Sequence, residues 1–317
     1  MVEENKLRIV WYPIWKCNFD CYKYCPYDYK NRAVDIYGKP VIKLRKNTLT
    51  HYEWTHAFSK LPPFILDISG GEPLLYSSLD KVLSNLKKDD VWAITSNTSV
   101  TSMINKLIDS GAMNSCISWS ASFHPISLLK NGKENPFADI YNFIDNLLLV
   151  RDNTSGNVKV NIVLHEDIFD KIEEYIDIFK WYEFDVTVLP YLDENYEWKE
   201  KNLEIVKRIR KYIDESQPLG WSNKNITKFC SAGKDYIHIS SDGEVYRCYS
   251  QMVYEGERGD IFKASLGNIL EKKFKLNDKL ELCKIPCYFP CDRERTKQYR
   301  EDGSEVIYSF SKDLKEL

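Results

Sequence analysis

Along the first 220 residues, short apolar runs alternate with stretches of helical spacing. Leu7–Ile14 is rich in branched and aromatic residues and predicts a strand. Thr50–Leu61 has helical spacing and stops at Pro62-Pro63, after which Phe64–Ile68 reads as a buried strand. A helix over Leu79–Leu86, a strand over Val91–Thr95, and a helix over Thr101–Ser110 halted by Gly111 come next. Cys116–Ser120 reads as a strand. Asn135-Pro136 reads as a helix start, a capping side chain followed by proline at the first helical position, with Phe137, Ile140, Phe143, Ile144, Leu147 and Leu148 at helical spacing behind it. Strands over Val158–Leu164 and Asp185–Leu189 alternate with helices over Phe169–Phe179 and Leu203–Ile213.

Six βα units in a row imply a parallel sheet with helical crossovers. Six are fewer than the eight of a closed barrel. The expected fold class is therefore α/β, a partial (β/α)6 barrel with parallel strands. Beyond about residue 221 the pattern changes. Tyr236–Ile239 and Val245–Cys248 flank Ser241-Asp242-Gly243 as a β-hairpin, and the final stretch has little periodicity but three close cysteines. This divides the chain into a core, 1–220, and a small cysteine-rich β-hairpin/α domain, 221–317.

The formal net charge of −3 gives no electrostatic reason to expect nucleic acid or an anionic membrane as partner. The basic run Lys199, Lys201, Lys207, Arg208, Arg210, Lys211 is interspersed with Glu200 and Glu204 and reads as a solvated helix face. The polar start, Met1–Lys6, lacks a signal-peptide profile, and no apolar run approaches the ~20 residues that span a membrane. A cytoplasmic location is the expectation, and there thiols stay reduced. Nine cysteines then need another reason. Cys17, Cys21 and Cys25 form one tight triplet, Cys283, Cys287 and Cys291 another, and Cys230 and Cys248 a spaced pair, a distribution that suits metal ligation. Cys116 stands alone and reads as a buried core residue.

Three thiolates within nine residues cannot complete a four-cysteine zinc site locally. They can hold three irons of a [4Fe–4S] cube and leave the fourth open to a chelating small molecule. Ser69-Gly70-Gly71-Glu72-Pro73 follows the second strand; its glycines permit close backbone approach to a ligand, and Glu72 can accept from an ammonium. Both segments fall at carboxyl ends of strands, where ligands bind in such folds.

Over roughly the first 220 residues the chain resembles the radical S-adenosylmethionine (SAM) superfamily. The resemblance rests on the three-cysteine loop after the first strand, with Tyr24 as the aromatic residue before the last cysteine, and on the Gly-Gly-Glu turn after the second. The usual loop is one residue shorter between Cys21 and Cys25. The resemblance implies that Cys17, Cys21 and Cys25 hold a [4Fe–4S] cluster, that Gly70, Gly71 and Glu72 bind the amino group of SAM, and that polar residues at strand ends surround the rest of it. Asn97, Ser120 and Ser122 are candidates for those positions. His124, on the same rim, is a candidate substrate contact or proton donor, and His165 and Glu166 are similarly placed.

Twelve residues separate Cys230 from Gly243 and four separate Gly243 from Cys248, which resembles the opening of SPASM/twitch domains that hold auxiliary [4Fe–4S] clusters. Ser265–Ile269 resembles a further segment of that domain. Five cysteines follow residue 220, fewer than a full SPASM domain carries, so the one-cluster twitch form fits better. Cys230, Cys248 and two of Cys283, Cys287 and Cys291 would ligate it; a zinc site from the same residues is the alternative.

The resemblance implies reductive cleavage of SAM to a 5′-deoxyadenosyl radical that abstracts hydrogen from a substrate C–H, an auxiliary cluster relaying electrons, and an electron donor such as a flavodoxin or ferredoxin. Many SPASM/twitch relatives modify ribosomally made peptides, often with an N-terminal peptide-gripping domain, and a cysteine loop beginning at Cys17 leaves no room for one. A small sugar- or nucleotide-like substrate is therefore preferred, and a peptide maturase is the second reading. A non-enzymatic iron–sulfur electron-transfer or metal-binding protein would explain the cysteines but not the Gly-Gly-Glu turn beside them.

Overall fold

A computed structural model describes residues 6–21, 48–129, 131–190, 200–213, 228–249, 252, 265–272, 274–283, 297–300 and 302–304. Its centre is a run of six parallel strands: β1 (Leu7–Trp11), β2 (Phe64–Ile68), β3 (Val91–Ser96), β4 (Cys116–Phe123), β5 (Asn157–Leu164) and β6 (Asp185–Pro190). They lie side by side in sequence order, as expected of successive βα crossovers. Leu7 is opposite Phe64 and Trp11 opposite Ile68, so β1 and β2 run in register to the rim. Helices α1 (His51–Ser59), α2 (Leu79–Leu83), α3 (Thr101–Asp109), α4 (Ile140–Arg151), α5 (Ile172–Trp181) and α6 (Glu200–Ile209) fill the connections. This is the α/β partial barrel expected.

Local chemistry sets the element ends. Thr50 and Glu53 form a reciprocal capping box that starts α1. Gly111 sits at φ 73° after α3, where glycine escapes the left-handed penalty. Asn135-Pro136 opens only a 3-10 turn, Pro136–Ala138; α4 begins at Ile140, where the Asp139 side chain accepts from the Tyr141 N–H. The nearer cap wins because it satisfies the first free N–H groups of the longer, apolar helix.

The core lies between the strands and the helices. Trp11, Trp54, Trp92 and Trp119 are fully buried there. Trp11 meets Trp54 and Phe58 edge-on at 5.1 and 5.3 Å, and Phe123 meets Phe143 and Phe179 at 5.1 Å each. Each such ring removes enough apolar surface to stabilise the fold by on the order of 4 kcal/mol before ordering entropy is subtracted. The opposite face of the strands, the inside of the partial barrel, is polar. Thr95, Ser120, Ser122, Asn161 and Thr187 alternate there with the buried positions, and register places Ser122 beside Asn161 and Asn161 beside Thr187.

The C-terminal hairpin extends this sheet. Strand β7 (Lys228–Cys230) precedes β8 (Tyr236–Ile239) and β9 (Glu244–Tyr246), which flank Gly243 at φ 85°. β8 pairs parallel with β1, Val10 opposite His238, and β9 pairs with β10 (Ser265–Asn268). The sheet is thus continuous across the sequence position where the core was expected to give way to a smaller domain. β7 pairs separately with β11 (Glu281–Cys283) and β12 (Gln298–Tyr299).

Candidate active site

The cysteine loop leaves β1 at the rim and is laced to the Gly-Gly-Glu turn by backbone hydrogen bonds. Ser69 N–H donates to the Trp11 carbonyl at 2.9 Å, Gly71 N–H to that of Ile14 at 3.1 Å, and Glu72 N–H to that of Lys16 at 2.9 Å. A Cβ on Gly70 would lie 2.5 Å from the Ile14 oxygen, and one on Gly71 would overlap the Lys16 carbonyl. The close approach that the glycines permit is therefore to the cysteine loop itself.

Glu72 is 1% exposed, turned into the protein. Its Oε1 accepts from Leu74 N–H at 3.0 Å and Ser96 Oγ at 2.7 Å, and its Oε2 from Asn97 N–H at 2.7 Å. Burial pushes its pKa up to about 7, against which the three donors act. The carboxylate thus braces two strand ends, with acceptor capacity remaining on Oε2.

Asn97 is the hub of this region, beyond the sequence expectation of a rim residue near SAM. Its Nδ2 lies 3.1 Å from Asn18 Oδ1 and 3.9 Å from Cys17 Sγ, while its Oδ1 accepts from Ser99 N–H at 3.1 Å and Ser99 Oγ at 2.6 Å. Thr98 beside it has φ 58°, unusual for a β-branched residue. It is held by Trp119 Nε1, which donates to its Oγ1 at 3.1 Å, and by Asn146 Nδ2, which donates to its carbonyl at 2.9 Å.

The Cys17 sulfur also receives the Phe19 N–H at 3.4 Å. Amide donors around a sulfur suit a thiolate bound to a cluster. Cys21 is buried on the same loop, and Tyr24 and Cys25 lie outside the described residues. Cys116 is in the core as expected, its pKa pushed up to about 12 by burial, unsuited to ligation. Ser120 and Ser122 are half-buried on the inner face. His124 packs edge-on against Phe19 at 6.2 Å, and burial pushes its pKa down to about 4. This favours the neutral imidazole near pH 7. His165 caps the 3-10 segment after β5 by accepting the Asp167 N–H at 3.2 Å, a local structural role.

Cys230, Cys248 and Cys283 each belong to one cluster of buried residues that includes Val10, Tyr12, Tyr236 and Tyr249. The Cys230 sulfur lies 3.5 Å from the Ala232 nitrogen, whose N–H it accepts. Cys287 and Cys291 lie outside the described residues. Buried sulfurs and an amide donor are the chemistry an iron–sulfur ligand needs, but among the described residues no three His, Cys, Asp or Glu side chains are grouped so as to hold a metal ion. Tyr12 and Tyr236 sandwich His238: Tyr12 Oη is 2.8 Å from Nδ1 and Tyr236 Oη 2.7 Å from Nε2. Trp15, two positions before Cys17, stacks on Tyr12 at 4.6 Å and packs against the buried cluster that contains Cys230, Cys248 and Cys283. Sequence reasoning missed this triad; an apolar strand holding a lone histidine was its only trace.

Residues 230–294 match the SPASM family, an iron–sulfur cluster-binding domain. The chain is 24% identical over 268 residues to the GTP 3′,8-cyclase of Staphylococcus saprophyticus, covering 74% of this chain and 75% of that protein. The cyclase of a Staphylococcus aureus strain is 24% identical over 222 residues, covering 67% and 56%. Among solved structures, native anSMEcpe with bound AdoMet superposes with a TM-score of 0.55 at 16% identity, covering 84% of this chain and 78% of that one. Streptococcus suis SuiB bound to precursor peptide SuiA superposes with a TM-score of 0.51 at 14% identity, covering 84% and 63%. The matched domain, the curated relatives and the fold together support a radical SAM enzyme. More particularly, it is one with a C-terminal SPASM domain, a class whose cofactors are a [4Fe–4S] cluster, SAM and auxiliary iron–sulfur clusters.

Proposed function

We propose that this enzyme uses SAM to abstract hydrogen from a C–H of a small, hydroxylated sugar- or nucleotide-like metabolite. Cys17, Cys21 and Cys25 would hold the first cluster, and Cys230, Cys248, Cys283 and one of Cys287 and Cys291 an auxiliary one. When bound, these groups supply an electron for reductive cleavage of SAM to methionine and a 5′-deoxyadenosyl radical, and a place for electrons to go afterwards. The Gly70-Gly71 turn fixes the cysteine loop. Glu72 holds that turn against the β3 exit and offers Oε2 to the SAM ammonium, and Asn97, Ser120 and Ser122 stand near the remainder of SAM. We assign residues 1–220 to the SAM-binding core and 221–317 to the auxiliary domain. We place the protein in the cytoplasm, with a flavodoxin or ferredoxin as electron donor; among the described residues no helix is long and apolar enough to cross a membrane.

The observation that carries the substrate class is the polar inner face. Asn161 Oδ1 is buried there without a hydrogen-bond partner among the described residues. A buried acceptor in that state is costly, and a hydroxyl or N–H of a ligand relieves it. The GTP 3′,8-cyclase relatives favour a nucleotide. The second reading, a peptide maturase, is favoured by the fold shared with SuiB, whose structure holds its precursor peptide. The test is 5′-deoxyadenosine production by the reduced holoenzyme with GTP, with sugar nucleotides and with cysteine-containing peptides. Stimulation by a small hydroxylated molecule supports the first reading, and stimulation only by peptides replaces it with the second.

A further inference from the structure

We propose that Asn97 is a positioning residue for the N-terminal cluster, donating from its side-chain amide to the Cys17 sulfur and so raising the cluster's reduction potential. The inference rests on the reading of Cys17 as a cluster ligand.

The orientation of the amide follows from its partners. Ser99 presents an N–H to Oδ1 at 3.1 Å and a hydroxyl at 2.6 Å. An amide nitrogen cannot accept either, so the oxygen faces Ser99 and the NH2 group faces Cys17 and Asn18. The backbone is fixed independently. Asn97 N–H is held by Glu72, and Thr98 is kept in its left-handed conformation by Trp119 and Asn146. A strained residue persists only where its surroundings over-determine it. Here the surroundings aim one amide at one sulfur, and the Asn18 side chain, which donates to Ser99 Oγ at 2.9 Å, closes the ring of contacts.

Adding an electron increases the negative charge on the cluster and its thiolates. An N–H donor at 3.9 Å in a part-buried site stabilises that state more than the oxidised one. Removing the donor lowers the potential. No bond is made or broken, and no proton moves.

The test uses anaerobically reconstituted full-length protein and an EPR-monitored redox titration of the cluster signal that changes on adding SAM. Asn97→Asp keeps the shape and the acceptor for Ser99 but replaces the donor with oxygen. Asn97→Ala removes both. The expected order of potentials is wild type highest, Asn97→Ala lower, Asn97→Asp lowest. A structural role alone gives the reverse order for the variants, because the isosteric one keeps the Ser99 contacts; that result, or three equal potentials, overturns the proposal. Ser99→Ala removes one of the two donors that hold Oδ1 and keeps the backbone N–H, so it loosens the amide without touching the sulfur and should shift the potential down by less than Asn97→Ala does. Should neither Asn97 variant hold iron, a wild-type potential in Ser99→Ala overturns it as well. A wild-type protein with no SAM-responsive cluster would instead sink the proposed function, a distinguishable failure.

Discussion

Tyr12 and His238 lie 226 positions apart and share a hydrogen bond of 2.8 Å between the phenol oxygen and Nδ1. The bond joins the end of β1, from which the cysteine loop departs, to the hairpin that carries the auxiliary cysteines. His238 is fully buried and Tyr12 nearly so. Both ring nitrogens of His238 are engaged, one by each tyrosine, so removing either phenol leaves a buried polar atom without that partner.

Tyr12→Phe should therefore destabilise the protein by about 1–3 kcal/mol, with the Trp15 stack retained. Urea unfolding of the iron-free protein measures it. An unchanged midpoint at unchanged slope would show that the bond contributes nothing.

Gly71→Ala should selectively disable the N-terminal cluster. The added methyl collides with backbone, the Lys16 carbonyl, which cannot yield as a flexible side chain would. The nearest atoms it meets belong to Lys16 and Trp15, not to a C-terminal cysteine. Iron content should fall from about eight to about four per chain. Full iron content with undiminished SAM cleavage would contradict the loop-bracing role.

Glu72 gives a pH dependence of definite sign. Its pKa is about 7 in the folded protein and 4.5 ordinarily. A carboxyl with a raised pKa favours folding when protonated, so its contribution is fully present below pH 4.5 and is lost as pH rises towards and through 7. His124 acts in the opposite sense: with its pKa near 4 instead of 6.5, its contribution is present above pH 6.5 and lost as pH falls towards and through 4. The stability of Glu72→Gln minus that of wild type should therefore grow between pH 5 and 8, reaching on the order of 3 kcal/mol. Iron-free protein without SAM is the sample. A difference that stays flat across this range would mean that Glu72 is ionised throughout.

Much of the frame was legible in the chain because punctuation and periodicity agreed. Pro62-Pro63 isolates Phe64–Ile68, and the strand spans just those residues. Ser241–Gly243 isolates the hairpin. The cysteine spacings pointed to a SPASM/twitch domain, and residues 230–294 match SPASM. What was not legible depends on contacts between distant positions. Asn97 reads as one polar residue in a loop; its partners Glu72 and Asn18 are 25 and 79 positions away. The pairing of β8 with β1 is parallel and non-local, so no turn announces it. Gly70 and Gly71 were read as permitting close approach to a ligand, whereas the structure sets them against the backbone of the cysteine loop, which a sequence does not reveal. Asn135-Pro136 has every mark of a helix start, yet Asp139 caps the helix that forms.

The central claim is that two sets of cysteines hold two iron–sulfur clusters, one of them serving SAM cleavage. Iron, sulfide and zinc analysis of anaerobically reconstituted protein tests it most directly. About eight irons with matching sulfide per chain is the predicted result. Zinc without retained iron would contradict the account from the cysteine loop onward.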